Sequence, residues 1–416
     1  MPRIPLTIIA ACLYLSSWAQ PKSDSLLLER LVKRRASPAL QHILQYPDTF
    51  RYQVIYTQID RDKHNKPHFT HYYLNVNNDT YFNPASTVKL PIALLALEKL
   101  HTLHKKGLDM YTPMLTDSAY KGQVRVDQDN TSANGLPSIA HYIKKVFLVS
   151  DNNAYNRLYE FVGMQDIHEK LWAKGYPQVR IVRRFMPLDE EGNRHTNPIR
   201  FVTYTGKPVY EQPEAYCSLP FDFSRQEFIG DAYLDRNDSL ICSPMDFTRH
   251  NNLPLTDLQH MMQTVLFPES VPKSQRFHLK KEDYRFLYHY MSALPRESDY
   301  PKYDPREYFD SFTKFFMFKA GHAHIPPYIR VFNKTGWAFG FLTDVAYIVD
   351  FKNNIEFMLT GTVYVNRDRI LNDDRYEYEE EGYPFFKEIG NIVYQYELLR
   401  ERAYGPNLKK FLDATY

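Results

Sequence analysis

The sequence predicts an α+β fold: an antiparallel sheet built from strands at both ends of the chain, flanked by helices, with an all-helical subdomain inserted between them. Two observations predict it. Strand-like runs occur at about 50–75 and again at about 328–366, whereas residues 84–290 read mainly as helical segments separated by loops. Helical runs also precede the first strands and follow the last. Strands from both ends must therefore meet in one sheet. A chain of 416 residues that is 44% hydrophobic has ample material for a packed core.

In chain order, "SLLLERLVKRR" (25–35) reads as a short amphipathic helix. "YQVIYTQID" (52–60) and "HFTHYYLNV" (68–76) carry the β-branched and aromatic residues of strands, with "KHNKP" as the turn between them. "STVKLPIALLALEKLHTLHKKG" is an apolar helix expected to close at Gly107. "NNAYNRLYEFVG" and "DIHEKLWAKG" are consecutive short helices, each ending in glycine. Residues 198–240 and 295–328 are irregular, aromatic- and proline-rich insertions on either side of a helical run, "DFTRHNNLPLTDLQHMMQTVL". "YIRVFNKTG", "GFLTDVAYIVD" and "IEFMLTGTVYV" supply three further strands. The acidic "YEYEEEGYP" reads as a solvated loop, and "FFKEIGNIVYQYELLRERAY" as the closing helix.

The N-terminus has a different character. Arg3, an apolar run from Ile4 to Leu15, and Ser17-Trp18-Ala19 have the layout of a secretory signal peptide, residues 1–19, cleaved after Ala19. The mature protein, 20–416, is then a single catalytic domain in the periplasm or outside the cell. Lipid attachment at Cys12 ranks second, because it leaves a very short apolar core to the signal.

The net charge of +2, with no long basic block, excludes phosphate-driven nucleic-acid binding. No interior run approaches the roughly 20 apolar residues of a membrane-spanning helix. An exported chain permits a disulfide between Cys217 and Cys242, and two unlinked thiols fit equally well. His322 and His324 have no carboxylate or cysteine cluster beside them, so no metal or cofactor is expected. The sequence carries no signal for oligomeric state.

Three short motifs carry the chemistry. In "NPASTVKLP", Ser86 and Lys89 stand three positions apart at the start of the apolar helix, on one face. A desolvated lysine there can act as base toward the serine, and the helix N-terminus favours a developing anion. Pro91 removes the usual helical donor to the Thr87 carbonyl, which either tunes the site or only sets the helix direction. The second motif is Ser150-Asp151-Asn152, which also reads as a plain helix cap. The third is Lys334-Thr335-Gly336 at the end of a strand, where Gly336 suggests a close backbone approach.

Ser-x-x-Lys, Ser-Asp-Asn and Lys-Thr-Gly in this order resemble the motif set of the class A β-lactamase-like serine hydrolases, within the wider serine β-lactamase and penicillin-binding protein superfamily. "SDNNAYNRLYEFVG", "CSPMDFTRH" and "NKTGWAFGFLTDVAYI" extend the resemblance over roughly residues 25–400, outside the two insertions. The resemblance implies a β-lactamase/transpeptidase-like fold. It implies Ser86 as nucleophile, Lys89 as its base partner and Ser150 as proton relay to the leaving nitrogen. Asn152 would hold the substrate amide, and Lys334 and Thr335 would face a substrate carboxylate. Gly336 and Trp337 would complete the binding edge, the oxyanion hole being the N–H groups of Ser86 and Trp337.

Two positions depart from the family. Its members carry a loop Glu, with Asn four residues later, to activate the deacylating water. In "RRFMPLDEEGNRHTNP" Glu190 and Glu191 lead to Arg194 and His195, and only Asp189 has Asn193 four residues on. Glu191 and Asn193 are the candidate substitutes, and Glu191 is taken as the fourth catalytic residue. Trp337 stands where the family commonly has a small residue. The expected substrate is a β-lactam or a related carboxylate-bearing amide. The alternatives are a D,D-peptidase-like enzyme that deacylates slowly, or a non-catalytic cell-wall binding module.

Overall fold

The computed structural model describes residues 26–415, so the expected signal peptide lies outside the described residues. Five strands form one sheet: β1 (Gln53–Arg61), β2 (Pro67–Leu74), β3 (Ile329–Ala338), β4 (Phe341–Asp350) and β5 (Ile355–Tyr364). Their order is β3-β4-β5-β1-β2, antiparallel throughout, so strands from both ends of the chain do share one sheet. β4 is buried along its whole length, which is why it reads as a nearly continuous apolar run. Alternate residues serve two cores. Leu342, Ala346 and Ile348 pack toward α1 (Leu26–Arg35) and the long C-terminal helix Tyr383–Leu399, whereas Val345, Tyr347 and Val349 pack toward the helical subdomain.

The subdomain centres on α2 (Lys89–Thr102), whose residues are buried on almost every side, as expected of a helix apolar all round. Around it pack α3 (Ile139–Leu148), α4 (Asn152–Val162) and α5 (Met164–Ala173). α2 stops at Thr102, five residues before the expected Gly107, because His104 turns left-handed (φ 47°). Further on, α6 (Leu255–Leu266) starts after Pro254, so "CSPMDFTRH" is not a helix start but a turn with a short strand at Met245–Asp246. The C-terminal helix, α7 (Tyr383–Leu399), ends before Arg400, and a further helix, α8 (Lys409–Thr415), follows it.

Both insertions have structure that their composition hid. Residues 198–240 contain short strands. Ile199–Val202 pairs with Met114–Thr116 and Pro208–Gln212, while Ala232–Leu234 lies between Leu240–Ile241 and Ile370–Leu371. The 295–328 segment runs along the free edge of β3, where Lys314 Nζ donates to the Val331 carbonyl and Asn333 Nδ2 donates to the Thr313 carbonyl. Covering a sheet edge in this way removes a template for unwanted pairing. The acidic "YEYEEEGYP" contains a π-helical turn, Tyr378–Gly382. Cys217 is buried and Cys242 exposed, and neither is bonded to the other. No helix among the described residues is long and apolar enough to cross a membrane.

Candidate active site

Ser86 sits in a 3-10 turn, Ala85–Val88, that leads directly into α2. The turn is pinned by Asn83 Oδ1 accepting from the Ala85 N–H (2.9 Å) and by the Pro84 carbonyl accepting from the Thr87 N–H (3.0 Å) and hydroxyl (2.6 Å). Ala85 is held at φ 44° and Ser150 at φ 61°, a region that costs a side-chain-bearing residue roughly 1–3 kcal/mol. Two such residues on facing segments mark a site whose backbone is over-determined by its surroundings.

Lys89, the first residue of α2, is completely buried. Its Nζ donates to the Ser150 carbonyl, to Asn152 Oδ1 (2.7 Å) and, at 3.3 Å, toward Ser150 Oγ. Lys334 reaches the same hydroxyl from β3, with Nζ 2.9 Å from Ser150 Oγ and 2.6 Å from the Thr335 carbonyl. Ser150 Oγ therefore bridges two buried amines. Burial, and then the neighbouring Lys334, hold the Lys89 ammonium well below its ordinary range, against the pull of Asp151. Burial likewise brings Lys334 down to about 7, with Asp344 opposing and Lys314 assisting. Amines tuned in this way can exchange protons near neutral pH. Asp151 has the capping role instead, accepting from the Ala154 N–H at 2.7 Å.

Gly336 is demanded by the same contact that builds the site. A Cβ there would lie 2.7 Å from the Ser86 nitrogen and 2.7 Å from the Pro84 carbonyl, so only glycine lets β3 lie against the Ser86 turn. Beyond it, Trp337, Ala338 and Phe339 line a cleft of about 650 Å³ together with Ser86, Ser150 and Asn152. The Trp337 ring is turned against Phe312 and Phe315, at centroid distances of 6.0 and 5.9 Å.

Two expected residues do not line the cleft. Thr335, between Lys334 and Gly336, is 0% exposed, and its hydroxyl has no hydrogen-bond partner among the described residues. Glu191 is exposed and faces His195 (3.3 Å), away from the cleft lining. The Asp189–Asn193 spacing has a structural use. Asp189 caps the short helix Glu190–Arg194 through the Gly192 N–H (2.7 Å), and Asn193 Oδ1 accepts from the Arg184 N–H (2.8 Å). What this loop turns toward Lys89 is Phe185, whose ring centroid is 5.1 Å from Nζ. Asn156 holds Phe185 there, its side-chain amide bonding both the Phe185 N–H (2.8 Å) and carbonyl (3.2 Å). Nothing in the sequence pattern marked this residue, because its position depends on a cross-link from α4.

The loop is anchored by Arg184, whose guanidinium is fully buried against Glu160 (3.0 Å), Asn197 and the carbonyls of Gly192 and His195. Breaking a buried pair of this kind costs about 3–5 kcal/mol. Arg184→Ala is expected to lose that much in a urea unfolding titration and to loosen Phe185, whereas an unchanged midpoint would count against the anchor.

Residues 36–207 match the sequence model of the beta-lactamase enzyme family. Over that span the chain is beta-lactamase-like. The beta-lactamase-like span includes Ser86, Lys89, Ser150, Asn152 and the Phe185 loop, while Lys334 lies beyond it. No curated protein matches the chain in sequence. Among solved structures, a beta-lactamase from Burkholderia phymatum is similar with a TM-score of 0.48 and 14% identity, over 90% of this chain and 99% of that one. A beta lactamase from Xanthomonas campestris gives 0.47 and 14%, over 88% and 97%. A PBP-A mutant, solved as its acyl-enzyme complex with penicillin G, gives 0.45 and 14%, over 89% and 96%.

Proposed function

We propose that the chain is an exported serine hydrolase of the class A β-lactamase type, acylated at Ser86 by a β-lactam or a related carboxylate-bearing amide. The observation that supports this best is the convergence of Lys89 and Lys334 on Ser150 Oγ beside the Ser86 turn. In this reading neutral Lys89 takes the Ser86 proton as Oγ attacks the carbonyl. Ser150 Oγ then delivers a proton to the departing nitrogen and is resupplied by the adjacent lysines. The backbone N–H groups of Ser86 and Trp337 receive the oxyanion, which requires the close approach that Gly336 permits. Asn152 orients the substrate amide and steadies Lys89 through its carbonyl oxygen. Export, to the periplasm or beyond, rests on residues 3–19.

A specific observation favours the slow-deacylating, D,D-peptidase-like form of this chemistry. The loop group facing Lys89 is an aromatic ring, which cannot activate water. A placed general base contributes about 10²–10⁴-fold, and its absence leaves the acyl-enzyme long-lived. Nitrocefin turnover tests this: we expect slow hydrolysis by the native protein, with at least roughly tenfold faster turnover in Phe185→Glu. Rapid turnover by the native protein would eliminate the slow-deacylation reading.

A further inference from the structure

The Ser86 cleft has an apolar end that none of the three motifs supplies. Half-buried apolar side chains line it: Phe185 and Met186 from the loop that faces Lys89, Tyr233 and Leu234 from the strand Ala232–Leu234, Met245, and Phe339 from the turn after β3. The strand belongs to the 198–240 insertion, and it is fixed as a wall. It runs parallel to Ile370–Leu371, and Asn372 Nδ2 donates to the Leu234 carbonyl at 2.9 Å. Arg369 grips Asp231 through two nitrogens, at 2.6 and 2.8 Å. Gly230, at φ 77°, permits the close crossing, since a Cβ there would lie 2.7 Å from the Arg369 carbonyl. Tyr233, Met245 and Phe339 all pack against one small core that contains Ile229, Phe247 and Leu371.

Phe339 is the residue that its backbone disfavours. With Gly340 it forms the two-residue turn between β3 and β4, and both have positive φ, 53° and 81°. Such turns favour Asn or Asp before glycine, because a bulky side chain is strained in that region. Phe339 is held there by edge contact with Phe247, at a centroid distance of 5.4 Å, and still lines the cleft. A strained side chain kept at a cleft is a mark of function rather than of turn formation. The two amides that share this end are engaged by the backbone. Asn372 holds the Leu234 carbonyl, and Asn251 Oδ1 accepts from the Val182 and Arg183 N–H groups (2.8 and 2.9 Å). Asp235 and the exposed Arg236, next along the insertion, mark the outer edge.

The course of β3 decides which part of a substrate meets this wall. Lys334, with Nζ 2.9 Å from Ser150 Oγ, stands at one end, and Gly336 lies against the Ser86 nitrogen. Phe339 follows Gly336 by about 10 Å of strand. A substrate with its carboxylate at the Lys334–Ser150 end and its carbonyl at Ser86 therefore extends its acyl substituent toward Phe339 and the insertion. We propose that Phe339, Tyr233 and Leu234 form an acyl-side subsite that selects substrates carrying a bulky apolar group, aryl or branched alkyl, on the acyl side of the scissile bond. Such a group gains by leaving water for a preformed apolar surface. The subsite names the substrate class of the acyl-serine reading and rests on it.

The test separates binding from acylation by using Ser86→Ala protein, in which no acyl bond can form. Benzylpenicillin and 6-acetamidopenicillanic acid are titrated against it; they share nucleus, carboxylate and side-chain amide, and differ only in benzyl against methyl. The same titrations are made with Phe339→Asn or Leu234→Ala added. Asparagine suits the left-handed turn position, so Phe339→Asn removes the ring while keeping the fold. We expect the benzyl compound to bind at least tenfold more tightly than the methyl one, and each substitution to cut that preference at least about threefold. No binding of either probe, equal binding of the two, or a preference that survives both substitutions would overturn the proposal. Equal weakening of both probes would do so too, since it marks a structural role. The Ser86 adduct is scored separately on the native protein. A benzyl preference without any adduct would sink the acyl-serine reading and leave the apolar subsite standing.

Discussion

Ser86→Ala is expected to abolish covalent labelling by a fluorescent penicillin, with a loss in acylation rate of about 10⁴-fold or more. The size of the effect follows from the site's composition. Ser150, the other hydroxyl within reach of Lys89, is already held between Lys89 and Lys334 and cannot replace Ser86 at the head of the turn. Gly336 brings β3 against the Ser86 nitrogen, so in the proposed mechanism the oxyanion donors lie around this serine. The fold should survive the change, because Ser86 is only half-buried and makes no hydrogen bond through its hydroxyl among the described residues. Gel fluorescence after brief incubation checks the prediction. Undiminished labelling of the variant would place the nucleophile elsewhere.

Lys89→Met should lower acylation by about 10²–10⁴-fold, the contribution of a positioned general base. The pH dependence distinguishes this from a mere packing defect. In the native protein the acylation rate should climb as Lys89 loses its proton, then level off well below pH 10.5, because burial holds the amine far below that value. In Lys89→Met that rise should vanish. Stability provides an independent readout with a definite sign. Between the folded pKa and 10.5 the unfolded chain holds a proton that the native chain has released, so this group's contribution to stability rises with pH. Below the folded pKa both states are protonated and the slope disappears. Lys89→Met should remove the slope and stabilise the fold by about 1–2 kcal/mol, as active-site groups often trade stability for function. Stopped-flow acylation and urea titrations at several pH values measure both.

Local signals account for what the sequence made legible. Ser86 and Lys89 fall one turn apart at the start of a helix, and the 328–366 strands announce themselves by β-branched and aromatic runs. Gly336 was readable as a close backbone approach because a strand seldom contains glycine without such a reason. What is not legible in the sequence concerns residues whose surroundings are set by distant segments. Glu191 is a candidate only as the acid nearest Asn193 in the loop, since the four-residue spacing belongs to Asp189 and Asn193. Here Asp189 and Asn193 use that spacing for capping and loop closure. The burial of Thr335 is not legible either, because the motif says nothing about what lies beside it. The 295–328 insertion runs along β3, with Phe312 and Phe315 against Trp337. Phe185 carries no sequence signal because it is placed by Asn156, which lies 29 residues away in sequence.

The central claim is attack by Ser86 followed by slow release of the acyl group. Its most direct test is an intact-mass time course of the native protein with benzylpenicillin, completed by peptide mapping. The expected result is a one-to-one adduct equal to the mass of the penicillin, carried on the peptide that contains Ser86 and persisting long after free penicillin is removed. No adduct, or one mapped to a residue other than Ser86, would contradict the account.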